Sequence, residues 1–182
     1  TTTVSVYHER AEGTDGLLRF GKSKDRRPDL RQYMQALGTL DPAGLPLVSE
    51  TLDGNFGDPQ MYLPVWRRMV KVIGHTNWLF VGDSKLHSAQ NIAEIHRADG
   101  LLLTPLQMNG HMPEHFVEWL RQQPKHLTTI TLPDANGSQR RVGRGYEVAH
   151  TLTWHDPESG ETVTVPLRVF MDLWKMLRSF QN

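Results

Sequence analysis

A mixed α/β fold is what this sequence predicts, and three observations predict it. β-Branched and aromatic residues open the chain, stretches of helical spacing then alternate with short apolar runs, and the last third returns to β-rich runs broken by turn residues. With 182 residues, 38% apolar and 22% charged, the chain suffices for one core, with an appendage at most. Cysteine is absent, which removes disulfide scaffolds, thiolate zinc sites, iron–sulfur clusters and cysteine nucleophiles. No apolar run reaches the length of about 18 residues that a membrane helix needs. Thr1-Thr2-Thr3-Val4 is neither a signal peptide nor a natural start, and we read the chain as part of a longer reading frame. Its 20 basic and 20 acidic residues cancel, so any preference for nucleic acid must lie in their distribution.

Thr1 to Tyr7, TTTVSVY, is β-branched and aromatic and reads as a strand. Leu17 to Phe20 reads as a short strand, after the turn pair Asp15-Gly16 and before a basic loop, GKSKDRRPDLRQ, over 21–32. Tyr33 to Leu40 and Leu45 to Leu52 form a hairpin across Asp41-Pro42-Ala43-Gly44, where the proline suits a turn. Asp58-Pro59 starts a helix, the acid as cap and the proline in the first turn. Met61, Val65, Met69, Val72 and Ile73 keep helical spacing up to Gly74, which ends it. Trp78 to Val81, WLFV, reads as a strand buried on both faces and ends at Gly82-Asp83. Ser84 then caps a second helix to about Ala98, with Leu86, Ala89 and Ala93 on its apolar face and Ile92 as a further candidate. Leu101 to Leu103 is a further buried strand, and Pro113 opens a third helix to about Gln123 with Phe116, Val117 and Leu120 inward.

The character changes near Pro124. From there to Val169, β-rich runs alternate with turns at 133–137 and 157–160, and Val148–Trp154 pairs with Glu161–Val165 as a hairpin. Phe170 to Phe180 reads either as a helix or as a continuing strand. The order β-β-β-α-β-α-β-α is that of an RNase H-like mixed sheet with helices on its faces, followed by a β-rich insertion segment. Residues 1–124 are the expected core and 125–182 the insertion. In that arrangement 78–82 runs parallel to and beside 1–7.

Three places carry candidate chemistry. Asp83, in Val81-Gly82-Asp83-Ser84-Lys85, stands at the carboxyl end of a strand and ahead of a helix, where ligands of open α/β sheets bind. The competing reading is that Asp83 or Ser84 only caps the helix. His111-Met112-Pro113-Glu114-His115 matches a zinc pattern, H-x-x-E-H, which requires both histidines on one helical face. Pro113 as the helix start would leave His111 outside it. The third place is residues 17–33, where Arg19, Lys22, Lys24, Arg26, Arg27 and Arg31 face Asp25 and Asp29, a net of +4. Such a loop suits phosphate contacts, or its acids pair with its own bases. Arg140, Arg141 and Arg144 form a smaller cluster. No nucleophile elbow, phosphate loop or GxGxxG is present. Trp66, Trp78, Trp119 and Trp174 read as core or interface residues, not as a base-stacking platform.

Together, TTTVSVY, FGKSKDRRPDLRQYMQALGTLDPAGLPL, DGNFGDPQMYLPV and VGDSKLHS resemble the DDE-type transposases of bacterial insertion sequences, over residues 1 to about 108. The resemblance implies an RNase H-like catalytic core interrupted by a β-rich insertion. It implies a first catalytic Asp directly before a Thr-Thr run, hence just ahead of Thr1. It implies a second at Asp83, and a Glu on a Tyr…Arg…Glu…Lys helix that does not occur before Asn182. Two Mg²⁺ ions about 3.5–4 Å apart would serve the in-line displacements at phosphorus, with Asp83 as a metal ligand and carboxylates as fitting donors. The implied partner is double-stranded DNA, met by Lys22, Lys24, Arg26, Arg27, Arg31 and Lys85, with a homodimer as the assembly. The location would be the cytoplasm, at the nucleoid. With one of three carboxylates, the chain is expected to be inactive in isolation, either a transposase fragment or a non-enzymatic DNA-binding remnant. A small zinc hydrolase using His111 and His115 is the reading from pattern alone.

Overall fold

Period-two and period-3.6 patterns set the element order that the chain adopts. The computed structural model describes residues 2–6, 16–22, 26–122, 124, 126–134 and 136–172. Two compact units form, Thr1–Pro105 and Leu106–Asn182. The first contains strands β1 (Thr2–Val6), β2 (Arg31–Leu40) and β3 (Leu45–Asp53), helix α1 (Asp58–Ile73), strand β4 (Leu79–Val81), a 3₁₀ turn (Ser84–Leu86), helix α2 (Ala89–Arg97) and strand β5 (Leu101–Leu103). The second contains helix α3 (Met112–Arg121) and strands β6 (Thr128–Pro133), β7 (Gln139–His155) and β8 (Thr162–Asp172). The composition change near Pro124 therefore falls inside the second unit, where α3 packs with the strands that follow it.

In the first unit β1, β2 and β3 form an antiparallel sheet in that order. Thr2 opposes Gln35 and Val6 opposes Arg31, while the expected β2–β3 hairpin pairs Tyr33 with Asp53 and Leu40 with Leu45. Leu17–Phe20 does not become a strand. Arg19 makes a single bridge to Gln32, and Gln32, 1% exposed, donates its side-chain amide to Gly54 O at 2.7 Å. A Cβ on Gly54 would meet Gln32 O at 1.9 Å, so glycine is what lets these backbones cross.

Helix α1 begins at Asp58 with Gly57 as its cap, one residue earlier than expected, and Pro59 sits in the first turn, where no partner for its nitrogen is needed. It ends at Gly74, whose φ of 86° lets its N–H reach Val70 O at 2.7 Å. Met61, Val65 and Met69, each one turn apart, are buried with Leu63 and Trp66, and the helix packs on β2, β3 and α2. Burying such a side chain contributes about 1.5–3 kcal/mol. Ser84 does not cap the second helix. Asp83 caps the 3₁₀ turn, and Ser88 Oγ caps α2 by accepting from Asn91 N.

β4 and β5 form a parallel pair, with Leu79 opposite Leu101 and Val81 opposite Leu103. Two expectations need correction here. Among the described residues β4 pairs with β5 and not with β1, so the expected placement of 78–82 beside the first strand is not what the strand order shows. Neither strand is buried on both faces. Phe80 is buried, whereas Leu79, Val81, Leu101 and Leu103 are 53–62% exposed. Alternate side chains point to opposite faces, and α1 covers only one. The architecture is thus mixed α/β, with separate antiparallel and parallel sheets.

In the second unit β6, β7 and β8 form an antiparallel meander, and β7 pairs with β8 from Gly145–Asp172 to His155–Thr162. Phe170 to Asp172 belongs to β8, and the remainder of the stretch to Phe180 lies outside the described residues. Trp119 is the inward residue of α3, packed with Tyr146 and Met171, and Tyr146 donates its hydroxyl to Trp119 O at 2.6 Å. Val117, expected inward, is 44% exposed, while Phe116 and Leu120 flank the cluster. Gly145 makes the close approach possible, since a Cβ there would lie 1.9 Å from Met171 O.

Candidate functional site

Asp83 owes its position to the strand before it and the turn after it. β4 stops at Val81, and Gly82 extends the parallel ladder by donating its N–H to Leu103 O at 3.1 Å. A Cβ on Gly82 would come within 2.8 Å of Leu86 and 3.1 Å of Tyr62, so glycine keeps the turn tight. Leu86, fully buried, anchors the 3₁₀ turn from below. Asn91, 1% exposed, donates to Pro59 O and Leu86 O and thereby ties the turn to the start of α1.

The Asp83 carboxylate is exposed and held through one oxygen. Oδ1 accepts from Lys85 N at 2.9 Å and from the Tyr62 hydroxyl at 2.6 Å. The Asp83 backbone carbonyl accepts from Thr104 Oγ1 at 2.7 Å, which fastens it to the end of β5. Tyr62 comes from α1 and is half-buried, its ring edge-on to Phe80. Burial first, then the hydrogen bond to Asp83 and its charge, push the Tyr62 phenol above its ordinary value, so it remains a donor. His87 closes the turn. Burial lowers its pKa, and its buried Nε2 has no partner among the described residues.

Asp83 stands at one end of a cavity of about 720 Å³ that runs between residues 36–41 of the β2 edge and residues 78–83, with α1 as its floor. Asp83 thus caps the 3₁₀ turn that follows β4, while the cap of α2 falls to Ser88. Among the described residues no three His, Asp or Glu side chains gather as a metal-holding group. One carboxylate does not by itself make up a Mg²⁺ site, and no step through a metal is derived from it.

Arg27 forms a bidentate ion pair with Asp29, at 2.9 and 2.7 Å, and that hydrogen bond holds the Asp29 carboxyl below its ordinary value. Arg31 stands over the Phe20 ring, 5.3 Å from its centre. Lys22 and Arg26 are exposed, and Lys24 lies outside the described residues. Lys85 is exposed beside Asp83, contributing its backbone N–H to the cap. Arg140, Arg141 and Arg144 are exposed along β7 where it pairs with β6.

The H-x-x-E-H pattern is not assembled as a ligand pair. His111 is the cap residue ahead of α3 and binds Glu114 at 3.1 Å, while His115 stacks on Trp119 and packs on His150. Tyr62 and Thr104, by contrast, escaped the reading of the sequence. The only signal for Tyr62 was a polar-tipped aromatic within an inward helical stripe, which needs a partner for its hydroxyl. No family model matches this chain, and no curated protein matches it either.

Proposed function

We propose that the first unit is part of the catalytic core of a DDE-type DNA transposase, an RNase H-like core that cleaves DNA and joins strands with metal assistance. Asp83 is its second carboxylate. The observation that carries the reading is the placement of Asp83 at the carboxyl end of a parallel strand, braced by Tyr62 and Lys85 N, at the end of a cavity. The β-β-β-α-β-α-β order supports it. The lack of a β1–β4 ladder among the described residues weighs on the RNase H-like part. The substrate is double-stranded DNA at element ends and target, reached at the nucleoid by a homodimer. Lys22, Lys24, Arg26, Arg27, Arg31 and Lys85 supply phosphate contacts. The metal of such a core is Mg²⁺, which stabilises the attacking and leaving oxygens when bound. Asp83 is the residue of this chain that would hold it.

The capping role of Asp83 favours a second reading, a non-enzymatic DNA-binding remnant of the same fold. A nicking assay separates the two. The 182-residue chain should not cut. The chain extended in both directions along its reading frame should cut with Mg²⁺, and Asp83→Ala in that extended protein should abolish cutting while the far-ultraviolet spectrum stays unchanged. Cutting by the short chain, or by the extended Asp83→Ala protein, overturns the assignment. An extended chain that binds DNA without cutting establishes the remnant.

A further inference from the structure

Residues three apart in a regular strand point to opposite faces of the sheet. Arg141 and Arg144 of β7 do not. Thr129 opposes Arg144 and Ile130 opposes Gly143, and then Thr131 opposes Arg141, so Val142 is an extra residue in β7. Directly opposed residues of an antiparallel pair share a face. Thr129 and Thr131 alternate along β6 and stand on one face, and the bulge therefore brings Arg141 and Arg144 onto that same face beside them. All four residues are exposed. Arg140 opposes Leu132 and so belongs to the other face.

The acids are sorted the opposite way. A Cβ on Gly143 would meet Ile130 Cδ1 at 3.5 Å and Asp172 Oδ2 at 3.3 Å, which puts the Asp172 carboxylate on the face away from Arg144. Glu147 stands three residues beyond Arg144 with no bulge between, so it too is on that other face, where Arg168 holds it through two hydrogen bonds. Glu147 and Asp172 are the only acids in β6, β7 and β8. Asp134, in the turn between β6 and β7, accepts from Asn136 N and Ser138 N. On α3, which Tyr146 holds by its hydroxyl, Glu118 accepts from Gln122. Two guanidinium groups and two hydroxyls thus share a face on which no carboxylate of the three strands stands.

We propose that this face is a DNA-contacting surface of the second unit, one that grips the phosphodiester backbone without regard to sequence. Guanidinium and hydroxyl groups are the donors that phosphate oxygens accept from, and a face that is positive and free of strand acids complements a polyanion. The inference takes its partner from the DNA transposase reading. It needs no catalytic carboxylate, however, and stands even if the extended chain fails to cut.

Arg140 supplies the control, because it carries the same charge, adjoins Arg141 and belongs to the other face. The 182-residue chain is titrated with a mixed-sequence DNA duplex over a range of salt concentrations. Arg141→Gln combined with Arg144→Gln should flatten the slope of log affinity against log salt by about 1.8, at about 0.9 for each phosphate no longer neutralised. The advantage of wild type over that double variant should therefore shrink roughly tenfold between about 50 and 200 mM salt. Arg140→Gln should change neither slope nor affinity. Thr129→Val with Thr131→Val should lower affinity at an unchanged slope, since a hydroxyl neutralises no charge. A thermal midpoint equal to that of wild type shows that each variant keeps its sheet. If wild type binds the duplex and the Arg141 and Arg144 substitutions leave the slope as it was, the proposal falls while DNA as a partner stands. An equal loss from Arg140→Gln would trace the effect to net charge alone and overturns the proposal as well. So does displacement of the duplex by polyglutamate as readily as by unlabelled duplex, which would assign the face to an acidic protein. A wild-type chain that binds no duplex overturns both the surface and its partner.

Discussion

Replacing Tyr62 by Phe removes one oxygen and leaves the ring against Phe80, so it isolates the hydrogen bond to Asp83. At 2.6 Å this is a charge-assisted bond, the class that contributes about 1.5–3 kcal/mol. Asp83 is exposed, and water takes over part of what the phenol gave, so the expected loss is about 1 kcal/mol. In a cooperative unit of this size that lowers the midpoint by about 4 °C. The loss has a pH signature. The phenol titrates above its ordinary value of 10.0 in the folded chain, so between pH 10 and that higher value the native state holds a proton that the unfolded state has released. Stability contributed by Tyr62 is complete below pH 10 and is lost as the pH rises through the folded value. Urea unfolding of Tyr62→Phe, Asp83→Asn and the double variant at pH 7, repeated above pH 10, measures both effects. The reasoning fails if the double-variant cycle gives a coupling under about 0.3 kcal/mol. It fails equally if wild type and Tyr62→Phe weaken in parallel above pH 10.

His87 gives the opposite flank of the pH profile. Its pKa lies below the ordinary 6.5, so the unfolded state takes up the proton first, and stability should fall as the pH drops below about 6.5. Acid titration of unfolding for wild type and His87→Leu checks this, with a flatter profile expected for the variant. Gly145→Ala should destabilise the second unit by at least about 1–3 kcal/mol, because the methyl would overlap Met171 O, and thermal unfolding reads it. Replacing Lys24, Arg26, Arg27 and Arg31 together by Ala should weaken DNA binding evenly across sequences. It should also flatten the salt dependence by about 0.9 log unit for each phosphate no longer neutralised, and an unchanged slope in a binding titration would mean that the loop is only solvated. Since Arg27 already serves Asp29, its own share of that change should fall short of the full amount of about 0.9 log unit.

Local signals carried most of the element order. The Pro59 start, the Met61, Val65 and Met69 spacing and the Gly74 stop fixed α1 because all three act within the helix itself. The β2–β3 hairpin followed from a turn flanked by runs of opposite direction. WLFV and LLL were misread because a short apolar run does not say how many of its faces another element covers. The cap of α2 was misplaced because Ser84 and Ser88 are both good caps, and the choice between them was made by the burial of Leu86 and Asn91. At the site, Asp83 was legible from its place at a strand end. Tyr62 and Thr104, 21 residues to either side, meet it only through tertiary packing and carry no local mark.

β4 and β5 are three residues each, and two residues beyond each stands one that resists further pairing. Gly82-Asp83 breaks the first run with a glycine and a charge, and Thr104-Pro105 breaks the second with a residue that has no N–H to give. Aggregation by edge-to-edge addition requires apolar segments of about five to seven residues free of charge and proline. WLFV and LLL fall short of that length, so the exposed Leu79, Val81, Leu101 and Leu103 remain poor templates for fibril growth. Lengthening β4 by replacing Gly82 and Asp83 with β-branched residues would remove that protection along with the carboxylate.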